Sequence, residues 1–478
     1  MDSRHSDTGQ MTAGAGISET AGRQREFFRT GQTLDTGYRK RLLARLREVV
    51  LDMEDDIAAA LEEDLGKSRT EAYMTEIGMT LSETGCALKN VRKWSRPRKA
   101  RTPLAQFPAK SYIIPEPYGN VLIMSPWNYP FLLCLSPLAS AIAAGNTVTV
   151  KPSIYAPASS SVIRKIVEQA FPAEVACVVE GGREVNADLL EQKFDYIFFT
   201  GSKAVGRLVM EKAAAHLTPV TLELGGKSPV IVDATADLKV AADRIVFGKY
   251  LNCGQTCVAP DYVIADERIR DSFIEACRES AERMFGKEPL RNPGYGKIVN
   301  SKHFIRLCRV LDEVRDRCIY GGGTDSDTLK IAPSIIRLGD ISDPASDRPE
   351  IMQDEIFGPL MPVLTYRSME DAVRYIGTHP RPLAAYIFTR DRKTKKRLLQ
   401  SLHFGGGCVN DTIIHLASDS IPFGGVGESG MGHYHGKYGF DTFTHLKSIV
   451  DKPSWLDLPM RYQPYSALKE KLIRMFLK

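Results

Sequence analysis

The chain has 478 residues, too many for one ordinary hydrophobic core, so two or three lobes are expected. Hydrophobic residues make up 43% and charged residues 25%, the balance of a soluble globular protein rather than a disordered one. The net charge of +5, from 63 basic and 58 acidic side chains, is too small for this length to argue for nucleic acid as a partner.

Residues 1–20 mix Ser, Thr, Gly and Asp without an apolar run, and read as a flexible tail that is neither a secretory signal nor a span. No later segment approaches the roughly 20 apolar residues of a transmembrane helix. Residues 38–65 place Leu42, Leu46, Val49, Met53, Ile57 and Leu61 at helical spacing, which predicts one amphipathic helix. A second helical region follows at 70–95. It ends in the basic run Lys89, Arg92, Lys93, Arg96, Arg98, Lys99 and Arg101, read as a solvated helix end rather than a surface for an anionic partner or membrane.

Thr102 to Pro117 carries four prolines and an extended Ser111-Tyr112-Ile113-Ile114, an edge strand leaving the main body. From about 118 short apolar or β-branched runs alternate with helical patterns. The runs are Val121–Met124, Thr147–Val150, Val175–Val179 and Tyr196–Phe199, and one intervening helix shows Val162, Ile163, Ile166, Val167 and Ala170. Such alternation predicts an α/β fold with a parallel sheet covered on both faces. Glu223 to Val232 gives one further strand, after the Gly225-Gly226 turn, and a second α/β run extends to about 430. Within it, Gly321-Gly322-Gly323 is a loop and Leu338–Glu350 an irregular stretch. Phe440–Val450 alternates like a second edge strand, which together with the first suits an oligomer contact. The Leu468–Lys478 tail reads as a helix docked on its own protein, with contact to a membrane surface as the other reading.

Nine cysteines, an odd number without a spacing framework, point to free thiols in a reducing compartment, so a cytoplasmic protein is expected. Cys253 and Cys257 lie close together, but no Cys or His pair elsewhere completes a zinc set, and no metal is expected.

Six segments carry candidate chemistry. Ser125-Pro126-Trp127-Asn128-Tyr129-Pro130 follows a strand, where a proline-bracketed loop at a sheet's carboxyl end can bind a ligand. Asn128 either faces a developing oxyanion or caps its own turn. Lys151, which ends the next strand, is either a ligand-edge ammonium or a surface lysine. Phe198 to Gly206 reads as strand, tight turn and helix start. Gly201, Ser202 and the following N–H groups could hold a phosphate, although the segment is not the G-x-G-x-x-G fingerprint and an ordinary turn remains open. Glu355-Ile356-Phe357-Gly358-Pro359 sets a carboxylate and an aromatic beside a Gly-Pro break. Cys257, in Gly254-Gln255-Thr256-Cys257, is either one more inert thiol or a nucleophile, and its small polar neighbours favour the latter. Glu223, just before Gly225-Gly226, is either a salt-bridged acid or a base on a mobile hinge.

Taken in this order, Pro-Trp-Asn, Lys-Pro-Ser, Phe-Thr-Gly-Ser, Glu-Leu-Gly-Gly-Lys-Ser-Pro, Gly-Gln-Thr-Cys and Glu-Ile-Phe-Gly-Pro resemble the aldehyde dehydrogenase superfamily from about residue 20 to 455. Asn252–Tyr262 and Pro422–Gly432 look like its class 3 branch, which acts on medium-chain, long-chain and aromatic aldehydes, commonly as a homodimer. The resemblance implies three domains: a Rossmann-like cofactor domain (21–98 and 118–225), an α/β catalytic domain (226–430) and small oligomerisation strands (99–117 and 440–453). A helical tail (454–478) would follow.

By the same resemblance Cys257 attacks the aldehyde to give a thiohemiacetal whose oxyanion is held by Asn128. Hydride then passes to NAD or NADP, and Glu223 activates the water that hydrolyses the thioester. Lys151, Gly201, Ser202, Gly206, Gly225, Glu355 and Phe357 would bind the cofactor, and Tyr129, Ile413 and Phe423 would line the substrate channel. Two departures stand out. Many class 3 relatives carry an acid after Lys-Pro-Ser that grips the adenosine ribose, where this chain has Ile154. Together with Lys203, that change predicts that NADP is accepted alongside NAD. The chain also stops short of the membrane anchor that some class 3 members carry. A CoA-acylating dehydrogenase and a non-catalytic binding protein on the same fold are the competing readings. The retained Glu223 argues against the first, and the retained Cys257, Glu223 and Asn128 argue against the second.

Overall fold

The computed structural model describes residues 13–477. Among these, a six-stranded sheet runs in the order Gly430–Met431, Val220–Leu224, Tyr196–Gly201, Asn120–Met124, Thr147–Lys151, Ala176–Val178. All its neighbours pair in parallel except Gly430–Met431, which lies antiparallel to Val220–Leu224. Asn120–Met124 and Thr147–Lys151 are buried at every position, because helices cover both faces. The helix Pro130–Ala144 is likewise buried throughout, packed against Thr36–Asp52, Gly78–Trp94 and Gly436–Thr442.

A seven-stranded sheet follows, in the order Cys318–Tyr320, Ser334–Asp340, Leu360–Tyr366, Tyr262–Asp266, Pro229–Val232, Ala384–Phe388, Gly406–Val409. It too is parallel but for its first strand. The strand expected after the Gly225-Gly226 turn is Pro229–Val232, which begins the second run, while Val220–Leu224 ends the first. Gly225–Ser228 is the crossing. Apolar periodicity reports burial and not sheet membership, so the sequence pattern does not show that the two strands belong to different sheets. The consequence is geometric: carboxyl ends of the first sheet face amino ends of the second, and ligand-binding loops meet in the seam.

Arg98–Ala100, Lys110–Pro117 and Thr444–Asp451 form a separate antiparallel sheet, with Thr444 opposite Pro117 and Asp451 opposite Lys110. The second expected edge strand starts later than its pattern suggests. Phe440–Thr442 belongs to the helix Gly436–Thr442, whose Phe440 is buried against Trp94.

Three further expectations change. Residues 13–20 are not a flexible tail, because Ala13–Arg29 is a helix whose Ile17 is buried beside Leu122 and Phe199; residues 1–12 lie outside the described residues. The single helix over 38–65 is broken at Met53 into Thr36–Asp52 and Glu54–Leu65. Glu54, Asp55 and Asp56 fall in the first turn of the second helix, where they complement its dipole. The tail forms the helix Ala467–Phe476, which packs on the turn Pro459–Arg461, but none of its residues is buried as a helix docked on the body of the protein would require. Among the described residues no helix is long and apolar enough to cross a membrane.

Candidate active site

The Cys257 loop is held from both sides. Asn252, Cys253 and Gly254 adopt left-handed φ values of 52°, 53° and 73° in succession, a turn that L side chains resist. The fully buried Gln255 fixes it: its Nε2 donates to the carbonyls of Asn252 and Lys297 at 3.0 Å each, and its Oε1 accepts from Val299 N at 3.0 Å. Gly254 is required, since a Cβ there would strike the Gly358 carbonyl. Beyond the thiol, the Tyr386 hydroxyl donates to the Val258 carbonyl at 2.5 Å. Cys253 is buried in the core among Tyr262, Tyr295 and Leu307, away from this chemistry.

One cavity in the seam is walled by Asn128, Gly201, Ser202, Glu223, Gly225, Cys257, Glu355 and Phe357, so eight of the residues singled out in the sequence converge there. A second, almost wholly apolar channel includes Tyr129, Phe247, Leu251, Ile413 and Phe423. Cys257 and Leu133 are the residues common to both. Cys257 is only partly exposed. Its thiol is pushed up to about 12 by burial, then by the Glu355 and Glu223 carboxylates.

Asn128 is 2% exposed, and its Nδ2 donates to the Gln255 carbonyl at 2.9 Å, leaving a second N–H on the same amide. Its own carbonyl accepts from Asn252 Nδ2 at 2.8 Å and from Lys67 Nζ at 3.2 Å. Glu223 is 3% exposed, and neither carboxylate oxygen has a hydrogen-bond partner among the described residues. Burial alone therefore raises its pKa well above the usual carboxylate range.

Glu355 is raised to about 8, by burial first and Asp261 second, against a backbone hydrogen bond from Gly226. The carboxyl lies where a Cβ on Gly225 would be, so Gly225 is the space that lets Glu355 into the cavity. Phe357 has a left-handed φ of 50° and meets Trp127 edge-on at 5.4 Å. Ile413 is also left-handed, at 53°. Backbone strain of this kind concentrates at binding sites.

Lys151 and Gly206 stand outside the walls of this cavity. Lys151 ends its strand, buried, with Nζ donating to the Pro152 carbonyl at 2.7 Å. Gly206 lies in the helix Lys203–Ala214, where any Cβ would strike Leu224, so it permits close helix–strand packing. Ser202 caps that helix through Val205 N.

A dinucleotide fits the first cavity on two local grounds: Thr200 Oγ1 is buried on its wall without a partner among the described residues, and a helix N-terminus opens beside it. Among the described residues no three His, Cys, Asp or Glu side chains are grouped to hold a metal. The sequence reasoning missed His303 and Arg306, which also wall the cavity, and Tyr434 and His435 in the channel. Single residues on a helix or after a bridge carry no motif. The left-handed φ of 83° at His435 is the local sign that would have marked it.

The model of the aldehyde dehydrogenase family matches residues 10–449. The chain is 47% identical to a Staphylococcus aureus protein named 4,4'-diaponeurosporen-aldehyde dehydrogenase, covering 95% of this chain and 97% of the relative. It is 45% identical to aldehyde dehydrogenase family 3 member H1 of Arabidopsis thaliana, covering 94% and 92%. Among solved structures, Staphylococcus aureus AldH in a substrate-bound state superposes with a TM-score of 0.94 at 45% identity, over 97% of this chain and 99% of that one. A NAD-dependent aldehyde dehydrogenase from Sinorhizobium meliloti superposes with 0.84 at 26% identity, over 93% and 88%.

Proposed function

This chain belongs to the aldehyde dehydrogenase family, and from that premise we propose that it oxidises medium-chain, long-chain or aromatic aldehydes to carboxylic acids through a thioester on Cys257. The observation that carries the reading is the position of Cys257 at the junction of a cavity that holds polar and charged side chains and an almost wholly apolar channel. An aldehyde entering along Tyr129, Ile413 and Phe423 presents its carbonyl carbon to Sγ. The free amide N–H of Asn128 and the Cys257 backbone N–H receive the oxyanion.

A nicotinamide cofactor, NAD or NADP, accepts the hydride when bound, as suits a family that includes NAD-dependent members. Glu355, Phe357, Gly201, Ser202 and Gly225 are the residues of the cavity that would hold it, with Lys151 and Gly206 supporting the adenosine side. Glu223 then takes a proton from water, which attacks the thioester carbonyl and releases the acid with Cys257 as leaving group. Its raised pKa suits a base that must be uncharged while hydride leaves and charged only afterwards.

Homodimerisation through the exposed sheet of Lys110–Pro117 and Thr444–Asp451, and a cytoplasmic location, complete the proposal; Leu446 and Val450 are the apolar side chains that sheet exposes. The test is initial rates of reduced-cofactor formation over aldehydes of graded length, with NAD and NADP in parallel. Turnover that is abolished by Cys257→Ala supports the reading, and turnover that survives that change, or requires CoA, overturns it.

A further inference from the structure

The apolar channel does not end at its apolar walls. A further cavity shares Met74, Met79, Leu132, Leu416, Ala417 and His435 with it, and Cys257 is not among its walls. Its chemistry is different. Ser82 and Asp419 stand at its exposed rim, while Glu83, Ser136 and His435 are buried in its wall.

Two of the buried groups are organised. Glu83 Oε1 accepts from Gly436 N at 2.6 Å, and Glu83 Oε2 faces His435 Nδ1 at 3.5 Å. His435 is held in its left-handed conformation and stacked on Tyr434 at 4.2 Å. The third is not organised: Ser136 is 0% exposed, and its hydroxyl has no hydrogen-bond partner among the described residues. A buried hydroxyl without a partner is costly unless something else supplies one. The wall between channel and chamber includes two methionines, side chains that repack readily around a passing chain.

We propose that this chamber receives the far end of the aldehyde and selects chains that carry a hydroxyl group there. A terminal hydroxyl would donate to Glu83 and exchange a hydrogen bond with Ser136, while the chain behind it fills the apolar channel as far as Cys257. A terminal carboxylate is disfavoured, because Glu83 and Asp419 already place negative charge around the site. The inference rests on the aldehyde-oxidation reading and adds a substrate class to it.

The experiment compares initial rates for unbranched aldehydes, ω-hydroxyaldehydes and ω-carboxyaldehydes of matched, graded chain length. At the lengths that span the channel, kcat/KM for the hydroxyaldehyde exceeds that of its plain counterpart by about tenfold, chiefly through KM. That ratio falls several-fold in Ser136→Ala and in Glu83→Gln, and the carboxyaldehyde is the poorest of the three. Ser136→Ala removes a hydroxyl that has no partner among the described residues, so a thermal melt of this variant verifies that the fold is kept. A ratio near one at every length, or a ratio unmoved by both substitutions, overturns the proposal while leaving aldehyde oxidation standing. An absence of turnover with all three series overturns the aldehyde reading and this one with it.

Discussion

Lys67 Nζ lies 2.6 Å from Glu76 Oε1, and both side chains are completely buried behind the loop that carries Asn128. The ammonium also donates to the Asn128 carbonyl and sits 4.1 Å over the Tyr129 ring, while Glu76 Oε2 accepts from Phe131 N and Leu132 N at 3.0 and 3.1 Å. Glu76 stands in a π-helical turn, Tyr73–Ile77, of the kind that recurs at functional sites. The pair therefore ties Asn128, whose amide is proposed to receive the oxyanion, to the start of the helix Pro130–Ala144.

Lys67 and Glu76 act through Asn128, so they are positioning residues. Lys67→Met strands a buried carboxylate and destabilises the fold by about 3–5 kcal/mol. Lys67→Met/Glu76→Gln removes the stranded charge and keeps an acceptor for the two backbone N–H groups, and should recover most of that loss in a thermal melt. The kcat of the double variant stays down by about tenfold or more, because the Asn128 carbonyl has lost a donor and its amide drifts from the oxyanion. If kcat returns along with stability, the pair is only structural.

Cys257 predicts a steep pH dependence of alkylation. With the thiol pushed up to about 12, the thiolate fraction in the cofactor-free protein rises about tenfold per pH unit across the accessible range. Site-resolved mass spectrometry after iodoacetamide treatment measures it. Glu355 and Glu223 both raise this pKa when charged, Glu355 the more, so Glu355→Gln should speed alkylation at a fixed pH above about 8 more than Glu223→Gln does. A plateau near neutral pH without cofactor contradicts the expectation.

The candidate site, whose groups are proposed to react, was the legible part of the sequence. Asn128, Glu223 and Cys257 sit in short segments whose residue types suit their chemistry, and one cavity gathers them. The buried strands were legible too, as β-branched runs. What local pattern could not show is pairing at a distance: Gly436 N reaches Glu83 across 353 residues, and Lys67 reaches Asn128 across 61. The assignment of Val220–Leu224 and Pro229–Val232 to different sheets was hidden for the same reason, since both strands are buried. The exposed tail helix was misjudged because an amphipathic pattern specifies an apolar face and not what covers it.

Glu223→Gln separates the two halves of the proposed reaction. Loss of the base lowers steady-state kcat by about 10²- to 10⁴-fold, while a burst of about one equivalent of reduced cofactor per Cys257 remains. Stability shifts the other way. The folded-state pKa of Glu223 lies well above the value of about 4.3 in an unfolded chain, so the native protein holds a proton that the unfolded chain has released. Wild-type stability accordingly falls as pH rises through that unfolded value and beyond. The melting temperature of Glu223→Gln should exceed that of wild type by a margin that widens with pH from about 4.3 upward. A margin that shrinks over that range would mean Glu223 is charged and partnered in the native state.

Cofactor choice turns on the edge beyond Lys151. Ile154 is 56% exposed there, where many class 3 relatives carry a carboxylate that excludes a 2′-phosphate. The nearby acid Glu180 is already engaged, by Arg164 at 2.9 Å and the Ser160 hydroxyl at 2.8 Å, so its charge is largely offset. Lys203 adds a positive charge but shares it with Glu428 at 3.2 Å. NAD and NADP should therefore give kcat/KM values within about tenfold of each other, measured with one saturating aldehyde. Ile154→Glu restores an exposed carboxylate beside the phosphate position and should lower kcat/KM for NADP by about tenfold or more, with little change for NAD. Glu428→Gln frees the Lys203 ammonium and should shift the ratio toward NADP. A wild-type preference for NAD above about a hundredfold would show that the edge excludes the phosphate by other means, and that Ile154 does not set the choice.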